Sequence, residues 1–413
     1  MTTPSHAPFD LNAIRAEFPA LGRPDAPIFF DNAAGTQVAR ACIDDMTRYL
    51  VEMNANSHGM FETSRRSDAC IEDCRAAVAD FINAEHVDEV AFGANMTTLT
   101  QIFARGLGRD LQPGDEIVTT RIEHEANVSP WLGLEERGVK VHFVDLRPED
   151  VTLDLDSLAS VLGDRTRLVA VGRASNAFGT VHPVAEIARM AHAAGALCFV
   201  DAVHYSPHGP IDVQALGCDV LVFSAYKMFG PHLGVLWGRR EVLERVRPFH
   251  LRTVPPVAPD KFETGTQNHE GIAGLHGALR YLESLGDAAA PHRRARLRDA
   301  MERVRQVEEG LSLRLLEMLA THPHVRVHGI TDPGRLSERV PTFAITIPGK
   351  RPIDVATHLA VAGINTWHGN NYALEPMLAL GLEHDGGAVR ISPVHYNTFE
   401  EIDALDRALG ALG

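Results

Sequence analysis

Between residues 87 and 240 the chain alternates short apolar runs with helical patterns. The apolar runs are EVAF, EIVTT, KVHFVDL, RLVAVG, LCFVDA, VLVFSA and GVLWG. Several of them are separated by amphipathic helical stretches such as VAEIARMAHAAG at 184–195. This alternation is typical of an α/β fold with a mainly parallel sheet. Ligands bind such sheets at the carboxyl ends of the strands, so we expect the chemistry in the loops that follow the runs.

The pattern changes after the proline-rich stretch TVPPVAPD at 253–260. Helical patterns occupy about 271–320, and the runs VRVHG, TFAITIP and AVRIS then alternate with helices such as IDVATHLAVAG. A length of 413 residues favours two domains. We predict a large α/β domain over residues 31–262 and a smaller α+β domain over 263–413, with residues 1–30 packing against the smaller one.

Composition and charge exclude several classes of protein. Hydrophobic residues make up 45% and charged residues 23%, as in soluble globular proteins. A formal net charge of −15 argues against nucleic acid or an anionic membrane as the partner. We find no apolar run long enough to span a bilayer and no signal peptide at the start. The 5 cysteines form no CxxC pair, which indicates a reduced, cytoplasmic protein without disulfides.

The 21 histidines raise the question of a metal site. The nearest candidates are His204 with His208 and the HPHVRVH cluster at 322–328. Neither is joined by cysteines or carboxylates at a familiar ligand spacing, so we predict no metal. A metal hydrolase built on His204 and His208 stays a rival hypothesis, and it would require bound metal in a colourless protein.

One lysine stands in an unusual place, within FSAYKMFGPHLGVLWG at 223–238. Lys227 lies in a short loop between two apolar runs that predict buried strands, where a charge is costly to desolvate. It could simply extend its ammonium group to solvent. Alternatively, a dry site could lower its pKa and let it form a Schiff base with a carbonyl cofactor. The second interpretation requires partners elsewhere in the chain.

Polar residues at the ends of other predicted strands could be those partners. Asp201 is either a helix cap or the group that keeps a pyridine nitrogen protonated. His124 could stack on a cofactor ring or lie in a surface loop. Asn176 could donate to a ring hydroxyl or be an ordinary turn residue. The helix start at 93–95 could bind an anion, although any strand–helix turn has this appearance.

The motifs occur in an order that is informative as a set: EHxAN, SNxxG, VDAxxxxPH, DVQxLGCDxxxFSxxK, FGP, FExGTxN and RxSxxxYNT. This order resembles the cysteine desulfurase-like branch of the class V aminotransferases, which are fold type I pyridoxal-phosphate (PLP) enzymes. The resemblance extends from FFDNAAGTQ at 29 to YNTFEEIDAL at 396. It implies PLP as the cofactor, an amino-acid substrate, and a large mainly parallel sheet domain with a smaller C-terminal α+β domain.

The resemblance also implies roles for the residues around the cofactor ring. Lys227 matches the Schiff-base lysine, His124 the histidine that stacks on the ring, and Asp201 the partner of the pyridine nitrogen. Asn176 matches a residue near the substrate and the ring oxygen. His204 stands where many relatives have a glutamine that hydrogen-bonds the ring oxygen.

A second group of matches concerns the cofactor phosphate. Ser224 matches a phosphate ligand, and Tyr226 takes the place of a phosphate-binding histidine. Ala94 and Asn95 fall where relatives have two threonines, so backbone amides would carry more of that contact. Thr266 matches a threonine that reaches the phosphate of the neighbouring subunit, which implies a homodimer with shared active sites.

The substrate side shows the main departure from the family pattern. Arg390 matches the arginine that binds the substrate carboxylate in a bidentate manner. Desulfurases carry their sulfur-accepting cysteine in a loop RTGHHCA, whereas this chain has NTWHGNNYA, with Tyr372 at the place of the cysteine and Trp367 at that of the arginine. A persulfide needs a thiolate, and this loop has none. A divergent loop in which Tyr372 has no role is the alternative.

We therefore predict a PLP-dependent enzyme that acts at Cα or Cβ of an amino acid. The first hypothesis is a lyase that eliminates a sulfur-type leaving group without an enzyme persulfide, with Lys227, His124 and Tyr372 as catalytic residues. Arg390, Asn176 and Trp367 would contact the substrate. Transamination and epimerisation are alternatives within the same chemistry, and a non-catalytic binding protein that keeps the PLP fold is a remote one.

Overall fold

A computed structural model of the protein describes residues 9–413. The first eight residues belong to the segment predicted to pack on the smaller domain, and they lie outside the described residues. Within the described chain the helices are α1 (Leu11–Ala16), α2 (Arg40–Glu52), α3 (Glu62–Ile82), α4 (Met96–Leu107), α5 (Ser129–Leu132), α6 (Leu155–Val161), α7 (Val184–Ala193), α8 (Val213–Leu216), α9 (Arg240–Arg245), α10 (His269–Ser284), α11 (Arg293–Ala320), α12 (Pro352–Val361), α13 (Leu374–Ala379) and α14 (Phe399–Gly410).

The strands of the same part of the chain are β1 (Ile28–Phe29), β2 (Val90–Gly93), β3 (Glu116–Thr120), β4 (Lys140–Val144), β5 (Leu146–Arg147), β6 (Thr152–Leu153), β7 (Thr166–Gly172), β8 (Leu197–Asp201), β9 (Val220–Ser224), β10 (Gly234–Gly238), β11 (Arg326–His328), β12 (Phe343–Thr346), β13 (Ile364–Asn365), β14 (Trp367–Gly369) and β15 (Ala388–Ile391). Short 3₁₀ turns connect several of them, including 125–127 and 225–227.

The largest sheet has 7 strands in the order β2-β10-β9-β8-β7-β3-β4. Strand β10 is antiparallel to both of its neighbours, and the remaining pairs are parallel. The prediction of a mainly parallel α/β sheet is confirmed. Each of the seven apolar runs identified in the sequence contains one strand of this sheet.

Helices cover the sheet, which explains why its central strands are apolar at successive positions. In α7 the buried residues Val184, Ile187, Ala188 and Ala191 recur at helical spacing and form the face that packs against β7 and β8. Strand β9 is buried at every position. A parallel sheet covered on both faces requires such strands, since neither face meets water.

A second sheet, in the order β11-β12-β15-β14, is antiparallel throughout. It packs with α12, α14 and the C-terminal half of α11 around a core of its own. Strand β1 pairs in parallel with β13, and Phe30 enters this second core, whereas Ile14 and Phe18 belong to the core of the large sheet. The N-terminal segment therefore contacts both units, and the boundary at 262/263 stays a prediction.

Strands β2, β3, β7, β8 and β9 run in one direction, so their carboxyl ends lie along one edge of the large sheet. The loops that follow these five strands carry most of the residues singled out in the sequence. In the described residues no helix is long and apolar enough to cross a membrane. No group of three or more histidine, cysteine, aspartate or glutamate side chains in that part of the chain could hold a metal ion.

Candidate active site

A cavity of about 580 Å³ opens at this edge of the large sheet. Eight of the residues predicted from the sequence line it: Asn95, His124, Asn176, Asp201, His204, Ser224, Tyr226 and Lys227. Within residues 9–413, five other predicted residues do not line it: Ala94, Thr266, Trp367, Tyr372 and Arg390. The volume falls in the range of small-molecule sites.

Lys227 is the central basic group of the cavity. It follows β9 in a 3₁₀ turn, is 6% exposed, and its Nζ donates a hydrogen bond to the Ala33 carbonyl at 2.6 Å. Burial, followed by the neighbouring Arg390, lowers the pKa of the amine to about 7, although Asp201 and Asp31 oppose the shift. A buried amine that is neutral near pH 7 can act as a nucleophile or a base.

Asp201 ends β8 and lies next to Gly172 of β7 in the sheet register. Its Oδ1 accepts a hydrogen bond from the Val203 backbone N–H at 2.9 Å. Burial raises the pKa of the carboxyl to about 6, and this bond and Lys227 oppose the shift. A protonated ring nitrogen beside Asp201 would favour its charged form.

Glu123 is a titratable group of this cavity that sequence reasoning missed. It is buried, and its carboxylate accepts hydrogen bonds from Thr120 Oγ1, Asn127 Nδ2 and the Gly172 N–H at 2.8–2.9 Å. Burial raises the pKa of this carboxyl to about 7, although these three bonds oppose the shift. Glu123 directly precedes His124 in the motif EHEAN, and this position could have indicated that it lies in the site.

His124 is held by its own loop. Its Nδ1 accepts from the Ala126 N–H at 3.0 Å, so the ring proton of the neutral form is on Nε2. Burial, then Lys227 and Arg390, lowers the pKa of the imidazole to about 3. The Tyr372 ring stacks on it with centroids 5.6 Å apart and planes 30° apart.

Arg390 contacts the backbone of Asn176. One terminal guanidinium nitrogen donates to the Asn176 carbonyl at 3.1 Å and the other to Asp31 Oδ1 at 3.4 Å. The Asn176 side chain donates to the Asn371 carbonyl at 2.7 Å. Arg390 Nε and Asn176 Oδ1 are buried without a hydrogen-bond partner. Two orphaned polar atoms of opposite type fit a site that a polar ligand completes.

His204 forms part of the cavity wall and is buried. Its Nε2 lies 3.0 Å from Thr342 Oγ1, and its ring centroid is 5.2 Å from that of His208. Burial holds the pKa of His204 well below its ordinary value. The Nδ1 of His208 is bonded to Glu308 at 2.8 Å. Each of these two histidines therefore has one ring nitrogen bonded to a protein partner.

The start of α4 borders the cavity on another side. Asn95 caps the helix, with Oδ1 accepting from the Thr98 N–H at 2.8 Å. The Met96 N–H donates to Ser224 Oγ at 3.0 Å, which joins the helix start to the end of β9. Ala94 precedes the helix on the exposed side, whereas Thr97, which sequence reasoning missed, lines the cavity. His232 is a second lining residue that it missed.

Thr266 lies elsewhere in the single chain. It is exposed and lines a wide groove of about 1060 Å³ together with residues such as Ser57, His58 and Arg240. The apolar side chains of Met60 and Phe61, next in sequence to this groove, are 91% and 57% exposed.

The turn between β14 and α13 docks onto the active-site loops. The Tyr372 carbonyl accepts from the Glu125 N–H at 2.7 Å, and the Asn371 carbonyl is bonded by Asn176. Asn371 and Tyr372 have φ of 57° and 56°, in the left-handed region, which asparagine adopts more readily than tyrosine. Tyr372 is 70% exposed, and Trp367, which lies opposite Arg390 in the β14–β15 register, is 49% exposed.

The donor set of the cavity fits pyridoxal phosphate. Lys227 supplies an amine for its aldehyde, Asp201 a carboxylate for its ring nitrogen, and His124 a flat ring for stacking. The first turn of α4 and Ser224 supply donors of the kind that bind phosphate. This fit rests on the types and positions of the side chains and backbone groups alone.

Comparisons with known proteins agree with this fit. Residues 28–405 match the family described as aminotransferase class-V. A probable cysteine desulfurase of Mycolicibacterium paratuberculosis is 35% identical over 98% of this chain, which spans 58% of that protein's length. The aminotransferase-like protein FGM3 of Gibberella zeae is 34% identical, with 98% of this chain and 99% of that protein covered.

Solved structures show the same fold. The apo cysteine desulfurase of Thermococcus onnurineus NA1 superposes with a TM-score of 0.87 at 29% identity, covering 100% of this chain and 98% of that one. The Escherichia coli cysteine desulfurase CsdA, in an S-sulfonic acid form, gives a TM-score of 0.82 at 29% identity, covering 98% of both chains. The predicted fold type I architecture is confirmed.

Proposed function

The chain belongs to the aminotransferase class-V family, as a PLP-dependent enzyme of the cysteine desulfurase-like branch, and we propose that it is a lyase for amino acids with a sulfur leaving group on Cβ. It would release the sulfur directly by β-elimination and form no enzyme persulfide. The observation that carries this proposal is the loop 366–373, where tyrosine stands and no cysteine occurs.

The state of the thiols supports the proposal. Cys42, Cys74, Cys198 and Cys218 are buried and Cys70 is partly buried, and in the described chain none of them lines the cavity. Burial raises the pKa of all five thiols, those of Cys42 and Cys218 to about 12. A nucleophilic thiolate requires the opposite, a lowered pKa and access to the substrate.

The side chains of this cavity suit proton removal from Cα. The bound cofactor would supply the electron sink that makes the Cα–H bond acidic. Lys227, neutral above about pH 7, would accept that proton. Asp201 would hold the cofactor ring nitrogen, and the Arg390 guanidinium would bind the substrate carboxylate in place of its contact with Asp31.

The bonds and products of the proposed reaction balance without a further reactant besides water. The Cα proton goes to Lys227, and the Cβ–S bond breaks with its electron pair on sulfur, which leaves and is protonated. Hydrolysis of the remaining carbon unit gives ammonia and a 2-oxo acid. No step requires an oxidant or a sulfur acceptor on the enzyme.

The test is to incubate the PLP-loaded protein with cysteine and S-alkyl cysteines, with and without an added 2-oxo acid. We expect sulfide or thiol, ammonia and a 2-oxo acid in equal amounts, and an unchanged protein mass. A variant with all five cysteines replaced by serine or alanine should behave alike, and Lys227→Ala should be inactive.

Three results would count against the lyase. A persulfide on a cysteine peptide would restore the desulfurase mechanism. Product that forms only with an added 2-oxo acid would indicate transamination. Exchange of the Cα proton with inversion, and no release of the β-substituent, would indicate an epimerase.

The groove that contains Thr266 supports a second part of the proposal, a homodimer. A second copy of the chain would cover the groove and the exposed Met60 and Phe61, and it would bring Thr266 towards the phosphate of the neighbouring cavity. Such a donor would add to those at the start of α4, where the Thr98 N–H is already donated to Asn95 Oδ1.

A further inference from the structure

His232 lies on the wall of the active-site cavity, in the loop that joins β9 to β10. The Ala225 N–H donates to the Leu233 carbonyl at 2.8 Å and closes this loop. The His232 ring is parallel to that of Tyr226, with centroids 5.1 Å apart and planes 14° apart. The imidazole is exposed, so its ring nitrogens are open to a ligand.

The same loop lies against the start of α4. Gly234 pairs with Ser224 in the sheet, and a Cβ placed on Gly234 would lie 2.3 Å from the carbonyl carbon of Asn95. Such a close approach of two backbones requires glycine at this position. His232 is two residues before Gly234 in this loop, and it lines the same cavity as Asn95 and Ser224.

A phosphate monoester beside Asn95 and Ser224 needs several donors, since it carries close to two negative charges and three acceptor oxygens. Two of the first-turn N–H groups of α4 are committed, that of Met96 to Ser224 Oγ and that of Thr98 to Asn95 Oδ1. The Thr97 N–H has no carbonyl partner inside the helix, as expected for its first turn. Ser224 accepts from Met96, and its own hydroxyl proton stays free to donate.

Basic side chains are scarce on this wall. The basic residues that line the cavity in the described chain are Lys227, His124, His204 and His232. His204 is bonded to Thr342, His124 Nδ1 to its own loop, and Lys227 is reserved for the aldehyde. His232 is the exposed one among these four basic residues of the described chain.

We propose that His232 is a ligand of the cofactor phosphate, with one imidazole N–H donating to a phosphate oxygen alongside Thr97 and Ser224. Tyr226 stacks on one face of the imidazole and fixes the plane in which that N–H points. The proposal rests on PLP as the cofactor and goes beyond the proposed reaction, because it holds for any chemistry at Cα.

The test compares PLP with pyridoxal, which lacks the phosphate. His232→Phe keeps a flat ring for the contact with Tyr226 and removes the N–H. In titrations of the cofactor-free protein followed by absorbance, His232→Phe should raise the Kd for PLP roughly tenfold to a hundredfold, the range of one hydrogen bond to a charged group. The Kd for pyridoxal should stay unchanged. The phosphorus NMR resonance of bound PLP should shift.

Two further variants make the test specific. His232→Gln retains an N–H donor and should lose less PLP affinity than His232→Phe. His384→Phe, at an exposed histidine in the turn 383–385 away from the cavity, is the matched control and should change neither Kd.

Several outcomes would overturn the proposal. Unchanged PLP affinity in His232→Phe would leave only a stacking role, and equal losses for PLP and pyridoxal would indicate a general structural role. Equal losses in the Gln and Phe variants would argue against the N–H bond. A wild-type protein that bound no PLP would refute the cofactor itself, and is thereby distinguishable from failure of the His232 contact alone.

Discussion

Replacing Lys227 by methionine should stabilise the cofactor-free protein at pH 6, and the gain should disappear as the pH rises towards 10. Burial lowers the pKa of the amine from its ordinary 10.5 to about 7. A lowered lysine pKa is a penalty on the folded state. The penalty is fully present below the folded pKa and is relieved as the pH rises towards the unfolded pKa.

The size of the effect follows from the two pKa values. At 1.36 kcal/mol per pKa unit the penalty at pH 6 is about 5 kcal/mol, and at pH 10 it is about 1 kcal/mol. Methionine removes the penalty but also removes the bond from Nζ to the Ala33 carbonyl, which costs about 1–3 kcal/mol at every pH. The net gain at pH 6 is about 2–4 kcal/mol, and the difference should change by about 4 kcal/mol between the two pH values.

Urea denaturation of the cofactor-free protein at pH 6, 8 and 10, followed by the fluorescence of the buried Trp131 and Trp237, measures this difference. Lys350→Met is the matched control, because Lys350 is exposed and should show no pH-dependent difference from the wild type. A difference between Lys227→Met and wild type that stays constant from pH 6 to pH 10 would refute the reasoning.

Three other changes test the site. Arg390→Lys keeps a charge but loses the planar fork, so kcat/KM should fall by an amount equivalent to about 1.5–3 kcal/mol in steady-state assays. Tyr372→Phe should reduce kcat about 100-fold if the phenol transfers a proton to the substrate. Thr266→Ala should weaken PLP binding in the dimer, because the threonine of one subunit would contact the phosphate of the other. Sedimentation of the same samples should show a dimer.

Each of these expectations has a definite contrary result. An unchanged kcat/KM in Arg390→Lys would place the carboxylate site elsewhere. Full activity in Tyr372→Phe would limit the residue to its stacking on His124. A fully active monomer at assay dilution would contradict shared active sites. Glu375→Gln, at a half-buried carboxylate paired with Arg121, is a suitable control because it alters the same loop region without touching the cavity.

The large sheet could be predicted from the sequence because burial imposes its pattern directly. Seven apolar runs gave seven strands, since a parallel sheet covered on both faces needs apolar residues at every position. The reversal of β10 could not be predicted, because GVLWG is as apolar as its parallel neighbours. Two-residue strands such as β1 and β13 give no periodic signal, yet their pairing accompanies the packing of Ile28 and Phe30 in the second core.

The cavity was predicted best where a residue directly follows a strand. Asp201 and Lys227 stand at ends of neighbouring strands, so the topology alone brings them together. Glu123 was missed because its contacts with Thr120, Asn127 and Gly172 depend on how two loops fold. His232 was missed because it follows no predicted strand end directly. The loop that carries it reaches the cavity through the close approach of Gly234 to Asn95, which the sequence pattern does not reveal.

One physical cause, burial, acts on all the central groups of this cavity, and it acts in opposite directions on acids and bases. It lowers the pKa of Lys227 to about 7 and that of His124 to about 3, and it raises those of Asp201 and Glu123 to about 6 and 7. These four groups of the site therefore carry less charge near neutral pH than they would in water. A cofactor with a ring nitrogen and a phosphate would supply partners for these groups: a protonated ring nitrogen would favour ionised Asp201, and the phosphate would accept from donors of the cavity wall. Two departures of this chain from the family pattern, Tyr226 at the place of a phosphate-binding histidine and Tyr372 stacked on His124, leave that central arrangement intact. We propose that they alter how the phosphate is held and what meets the substrate.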